Sequence, residues 1–285
     1  MDDAMKDAVA TQALLTARFG AEAAPAADDA PLPEALRLLL DRRVSRRYRD
    51  QDVPESLLDL LLAVAQSAPS KSDLQQYSVV VLRDKPRIAR IAGWIGSMPW
   101  IASAPVLLIW CADMRRGQRL CALHGMEHAN NNLDTFLNTA VDGALAMGHF
   151  IAAAEAVGLG TCPISYVRNH VEKLAPLLGL PHGVFPLAGL TLGWPDGRRP
   201  TAMRLPPGVV VHRERYDDTG MEESVAAYDE RRRAREPIAP ASLKNPEIYP
   251  ARAGVGWSEN LARQLSVPER YGFAAWLRTR GFDLA

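Results

Sequence analysis
Arg42, Arg43, Val44, Ser45, Arg46, Arg47, Tyr48 and Arg49 place five guanidinium groups within eight consecutive positions. Arginine stays protonated near neutral pH, and its planar fork of donors fits phosphate oxygens in pairs. Such density reads either as a clamp for an anionic ligand or as a solvated basic face. Nucleic acid is the wrong partner class, because 33 Lys and Arg balance 33 Asp and Glu and no net field gathers a polyanion.

A second cluster suggests different chemistry. His124, Gly125, Met126, Glu127 and His128 match H-x-x-E-H, in which histidines four apart on a helix share a face and hold zinc with a glutamate between them. Gly125 and the run Asn130, Asn131 and Asn132 make a poor helix, however. No acidic third ligand is recognisable in the helix downstream, where only Asp142 stands among apolar residues. A surface loop with incidental histidines is the expectation, and a zinc hydrolase on His124, Glu127 and His128 is the alternative from another class. Nucleotide fingerprints are missing. Gly158 and Gly160 open a G-x-G, but Pro163 takes the place of the third glycine and the segment follows a helix.

Residues 4–18 have helical character, and the Ala/Pro/Asp stretch at 21–33 reads as a linker. Leu36, Leu38, Leu39 and Leu40 predict a helix that stops at the arginine cluster. Another starts at Pro54 and ends near Ala68, where Pro69 forbids continuation. Residues 77–82 and 104–111 predict buried strands, with a helix at 85–95 between them. Residues 133–157 are apolar on most faces, which predicts a helix in the middle of the domain. Gly158 and Gly160 stop it, a helix follows at 169–178, and 185–194 predict a third strand. The tail combines a strand-like 209–212, a charged helix at 222–235, a Pro-rich connector and a last helix at 268–280. The elements mix without regular alternation, which argues for an α+β layer fold over a doubly wound sheet.

At 285 residues and 48% hydrophobic, the chain can bury a full core. Cys111, Cys121 and Cys162 show no C-x-x-C spacing and suit free thiols in a reducing compartment. Asp2 and Asp3 stand where a secretory signal would be basic, and no apolar run reaches the ~18 residues a membrane span needs. A cytoplasmic protein without a membrane partner is expected.

Four motifs in order then acquire meaning together. After the arginine cluster come Pro69, Ser70, Lys71, Ser72, Asp73, Leu74 and Gln75. Gly158 through Asn169 follow, and then Gly193, Trp194 and Pro195 with Arg204, Leu205 and Pro206. Over about residues 34–235 the chain resembles the FMN-dependent nitroreductase family, and within it the NADPH-preferring branch of nitroreductase A and flavin reductase P. The resemblance implies a nitroreductase-like α+β fold, with a central mixed or antiparallel sheet flanked by helices, in an intertwined homodimer. It divides the chain into an extension at 1–32, an FMN-binding core at 33–216 and a helical, dimer-wrapping arm at 217–285.

The implied activity is hydride transfer from NADPH to a nitroaromatic, quinone or flavin by a ping-pong mechanism. Reductive dehalogenation and flavin fragmentation are alternatives on the same fold. No side chain need act as a nucleophile or base. Residue by residue, Arg42 and Arg43 match the phosphate-binding pair, with Val44 where the family has serine. Arg46 matches the cation near flavin N1 and O2, where negative charge collects on reduction. Arg168 matches a second phosphate clamp just inside a helix start, with His170 beside it. Ser165 and Tyr166 stand where the branch has glycines near N5, and their bulk should narrow the pocket. Ser72, Asp73 and Gln75 correspond to the motif facing the pyrimidine ring, and Arg204 to the arginine for the NADPH 2′-phosphate. Arg47 and Arg49 read as surface residues, Trp100 as packing, Cys162 as a buried apolar residue, and Arg231, Arg232 and Arg233 as a solvated face.

Overall fold
The apolar run expected as a strand becomes β2 (Val106–Asp113), every residue of which is buried. It pairs with β1 (Tyr77–Leu82) and β4 (Val184–Gly193), and β3 (Gly160–Ile164) pairs with β4, giving an antiparallel sheet of order β1-β2-β4-β3. The computed structural model describes residues 3–26 and 32–285, so 27–31 of the expected linker and Asp2 lie outside the described residues. Two compact units are formed. One comprises the described residues up to Arg42 with Pro200–Glu269; the other comprises Arg43–Arg199 with Arg270–Ala285.

The sheet belongs to the second unit, and the period-2 alternation of β2 splits that unit's core into layers. Val106, Leu108 and Trp110 face α3 (Glu55–Gln66) and α6 (Leu133–Ala156), burying Leu58, Leu61, Ala146 and Phe150. Leu107, Ile109 and Cys111 face the other way, onto Ile88, Ile91 and Ile95 of α4 (Lys85–Ile95) and Leu174 of α7 (Val171–Leu178). α4 begins as expected: the Asp84 carboxylate accepts from the Arg87 amide at 2.8 Å, and Pro86 occupies the first turn. The last helix is α11 (Phe273–Thr279), where Leu277 and the following Phe282 pack on Phe185.

Several expectations are corrected. β1 is an edge strand with mostly half-buried side chains, not a buried one. α6 is not enclosed: Leu133, Leu137, Val141 and Leu145, spaced by four, remain 39–56% exposed. β3 was hidden by Gly160 and Pro163, and Pro163 is tolerated because β3 is an edge strand. Also unforeseen was α5 (Arg115–Leu123), whose three arginines disguise its period.

The first unit contains α1 (Asp3–Phe19), α2 (Glu34–Asp41), the single turn α8 (Pro207–Val210), α9 (Met221–Arg235) and α10 (Trp257–Leu265). β-branched Val209 to His212 read as a strand, yet Pro207 presets helical φ and a turn forms. α10 interrupts the expected connector, and the last helix is shorter than expected. Arg18, 6% exposed, ties the unit together by donating to the carbonyls of Leu40 (2.5 Å), Arg42 (2.8 Å) and Ala202 (2.9 Å). Arg231, Arg232 and Arg233 are half-buried, not solvated; Arg232 Nη1 donates to the Tyr228 hydroxyl at 2.8 Å. Among the described residues no helix is long and apolar enough to cross a membrane.

Candidate functional site
The arginine segment is strapped to the sheet by its backbone. Val44 bridges Thr161 of β3 in parallel, and Tyr48 bridges Pro195 in antiparallel fashion. Ser45 N donates to Thr161 O at 2.8 Å and Arg49 N to Trp194 O at 2.8 Å. Gly160 makes the close approach possible, because a Cβ there would collide with the Ser45 side chain. Tyr48 locks the turn: its hydroxyl bonds Ser45 O and Thr191 Oγ1, both at 2.7 Å. Burial pushes the Tyr48 phenol well above its ordinary value, so it stays a neutral strut. The Arg46 guanidinium lies over Trp100, 5.7 Å from the ring centroid. Trp100 packs against the core as expected and also fixes that cation.

Beside this segment, β3 ends with Pro163 exposed among buried neighbours and runs into a 3₁₀ turn, Ser165–His170. Ser165 is exposed, Val167 is buried, and Arg168 Nη1 donates to Leu187 O. Arg168 therefore lies in the 3₁₀ turn ahead of α7, not inside a helix start, because the irregular turn runs to His170. Tyr166 is half-buried, packs against the core cluster and lies 6.1 Å from the His170 ring. His170 Nε2 is buried with no hydrogen-bond partner among the described residues. Burial, with Lys173 adding, lowers the His170 pKa.

A second group lies on the loop between α3 and β1. Ser72, Asp73 and Gln75 are exposed and have φ of 48°, 57° and 51°. Gln75 Nε2 donates to Asp73 Oδ1 at 3.0 Å. Asp142 of α6 and Arg116 of α5 hold the loop ends: the Asp142 carboxylate accepts from Lys71 N and Gln76 N, both at 3.0 Å, and Arg116 Nη1 donates to Gln75 O at 2.6 Å. The sequence marks neither holder for this role, although an acid in the middle of an apolar helix is the available signal for Asp142.

The two groups stay apart within the second unit. Asp73 and Gln75 border a cavity of about 520 Å³ with Tyr77, Trp110 and Arg116. Arg46 borders one of about 300 Å³ with Ser45, Arg47, Asp196, Arg198 and Arg199, and the two share no lining residue. Ser45, not Val44, presents the hydroxyl beside Arg46. Arg42 closes the first unit. In that unit Arg204 borders a cavity of about 470 Å³ with Phe19, Tyr228, Arg232 and Trp257.

The zinc alternative loses its geometry. His124 ends α5, Gly125 adopts φ 68°, and residues 125–132 form turn and loop, so the two histidines share no helical face. Among the described residues no group of three His, Cys, Asp or Glu could hold a metal ion.

Comparison with known proteins agrees with the fold. The model of the Nitroreductase family matches residues 39–194, and that of its C-terminal domain matches 203–285. An FMN reductase [NAD(P)H] of Bacillus subtilis is 41% identical over 200 residues, 69% of this chain and 80% of the relative. An oxygen-insensitive NADPH nitroreductase of Salmonella typhimurium is 33% identical over 195 residues, 68% of this chain and 79% of the relative. The solved structure of the hypothetical oxidoreductase YcnD from Bacillus subtilis superposes with TM-score 0.81 at 34% identity, covering 89% of this chain and 99% of that one. With its antiparallel sheet, its strapped arginines and a family model that spans more than half its length, the chain belongs to the nitroreductase family.

Proposed function
We propose that the protein is an FMN-dependent oxidoreductase that draws electrons from NADPH and delivers them to a nitroaromatic, a quinone or a free flavin in a ping-pong sequence. Family membership and relatives named as NAD(P)H-dependent FMN reductase and NADPH nitroreductase support this class. The observation that carries it is the placement of Arg46, braced on Trp100, in a segment strapped to the same β3 that ends at the exposed Pro163 and Ser165.

The donor set fits FMN. Arg43, Arg168 and His170 are the groups for its phosphate, and the orphaned His170 Nε2 calls for a polar partner. Arg46 suits the pyrimidine edge, where reduction deposits negative charge. Arg204 suits the donor's 2′-phosphate. FMN, when bound, supplies hydride chemistry at N5, which lets one pocket serve donor and acceptor in turn. The chain's own residues bind and orient, and none need exchange a proton.

The acting species in this reading is a homodimer. An exposed apolar stripe on α6 supports it, as do site groups that border separate cavities in one chain: the 72–75 loop of one copy would meet the arginine segment of the other. The helices beyond 217 serve as the proposed arm. A reducing cytoplasm suits the three free thiols; burial, with Asp113 adding, pushes Cys111 up to about 12, leaving it inert.

The test is the visible spectrum of the purified protein, followed by NADPH without oxygen. A flavin band that bleaches supports the reading. A colourless protein that takes up no added FMN and shows no bleaching would reject it.

A further inference from the structure
The loop at 70–76 is held in a costly shape. Ser72, Asp73 and Gln75 all have positive φ in the left-handed region, where any residue with a side chain is disfavoured, and no glycine relieves them. Three such residues within four positions would relax unless the loop ends were fixed.

Asp142 fixes both ends. Its Oδ1 accepts from Lys71 N at 3.0 Å; its Oδ2 accepts from Ser70 Oγ and Gln76 N, each at 3.0 Å. Ser70 Oγ in turn accepts from Gln75 N at 2.7 Å, carrying the restraint to the third strained residue. The Asp142 side chain is buried at 1% exposure, and among the described residues it has no ion-pair partner. A buried carboxylate without a cation is expensive, and here only three neutral donors offset it. Gly143 follows Asp142 at a close crossing of α6 and the sheet, where a Cβ would meet the end of the Leu187 side chain and approach Tyr77 Cβ and Cys111 O.

We propose that Asp142 is a positioning residue of the cofactor site, its carboxylate stapling residues 70–71 to residue 76 and so fixing the backbone that presents Ser72, Asp73 and Gln75. The inference rests on reading that loop as facing the flavin. An amide cannot replace the carboxylate, because asparagine offers one oxygen and one NH2 to three donors and leaves donors facing a donor.

The test uses the full-length protein with Asp142→Asn, Ser70→Ala and a control, Phe150→Leu, which loosens the buried face of the same helix eight residues along from Asp142 and removes none of the hydrogen bonds to the loop ends. Trypsin cleavage at the Lys71–Ser72 bond, mapped by mass in the absence of flavin, reports the loop. FMN dissociation constants and thermal midpoints are measured in parallel. We expect Asp142→Asn to be cut there about tenfold faster and to bind FMN about tenfold more weakly. Ser70→Ala should shift both in the same direction, and it carries the test alone if Asp142→Asn does not fold. Phe150→Leu should lower the midpoint while leaving both readings at wild type. The role is overturned if the loop variants match Phe150→Leu at equal loss of midpoint, or if cleavage accelerates while FMN affinity stays unchanged. A wild-type protein that binds no FMN would sink the flavin reading alone, since the cleavage rates judge the staple independently.

Discussion
Arg46 illustrates what a single side chain must satisfy at such a site. Its charge is fixed, and its guanidinium is oriented by the Trp100 ring at 5.7 Å. A cation held in place costs no reorganisation when negative charge develops beside it. Arg46→Ala should therefore lower the flavin potential and slow reduction by NADPH by roughly 10²-fold, the effect of losing one preorganised donor. Arg46→Lys should recover part of the rate. Potentiometry and stopped-flow bleaching measure the two effects, and unchanged reduction kinetics would remove Arg46 from the role. His170 gives a pH prediction. Its pKa is lowered by burial and by Lys173, so the imidazole is neutral at pH 7 in the free protein. A phosphate dianion favours the imidazolium, so binding takes up a proton and FMN affinity should rise as pH falls from about 8 to 6.5, by less than roughly tenfold per unit. His170→Gln should flatten that slope in a fluorescence titration.

α6 shows where elements are readable and where they are not. Its helical character was plain from composition, but an apolar residue looks the same in sequence whether it faces its own core or a second copy. Ala146 and Phe150 are buried while Leu137 and Val141 are 56% and 46% exposed, and only the position of the sheet separates them. The bounds of α4 were legible from its place between two strand-like runs, and Asp84 and Pro86 fix its start in the structure. β3 was not, since Gly160 and Pro163 are poor strand formers kept there by a close crossing and an edge position. The arginine cluster stands out in the sequence by its density, whereas the holding contacts of Asp142 and Arg116 do not, because most of their partners are backbone groups distant in the chain. The exposed stripe carries its own prediction. Burying each of its large side chains in the proposed homodimer is worth about 1.5–3 kcal/mol, so Leu137→Asp with Val141→Asp should raise that dimer's dissociation constant at least roughly a hundredfold. Sedimentation would show monomer at micromolar concentration, and FMN should be lost with the dimer if the 72–75 loop acts across copies. A variant that sediments as the wild type does would remove α6 from the interface.

For the molecule as a whole, neutrality constrains how it can discriminate between donors. With 33 basic and 33 acidic residues the chain has no long-range field to favour NADPH, with its additional 2′-phosphate, over NADH. Any preference must come from a local cation. Arg204 is exposed, has no acidic partner among the described residues, and borders a cavity of about 470 Å³ with Phe19, Tyr228 and Trp257, a setting suited to a flat ring beside an anion. The 2′-phosphate is remote from the nicotinamide, so its binding energy is the same in the ground and transition states and appears in KM, not kcat. One charge-assisted contact is worth about 1.5–3 kcal/mol. Arg204→Ala should thus raise the KM for NADPH by roughly tenfold or more, while leaving kcat and the KM for NADH near wild type. Added salt should act in the same direction, raising the NADPH KM more than the NADH KM, because screening weakens an exposed phosphate contact. Steady-state kinetics with both donors at low and high ionic strength decides the matter. Equal changes for the two donors would mean that Arg204 does not read the 2′-phosphate, and discrimination would have to be sought at Arg198 and Arg199 beside Arg46.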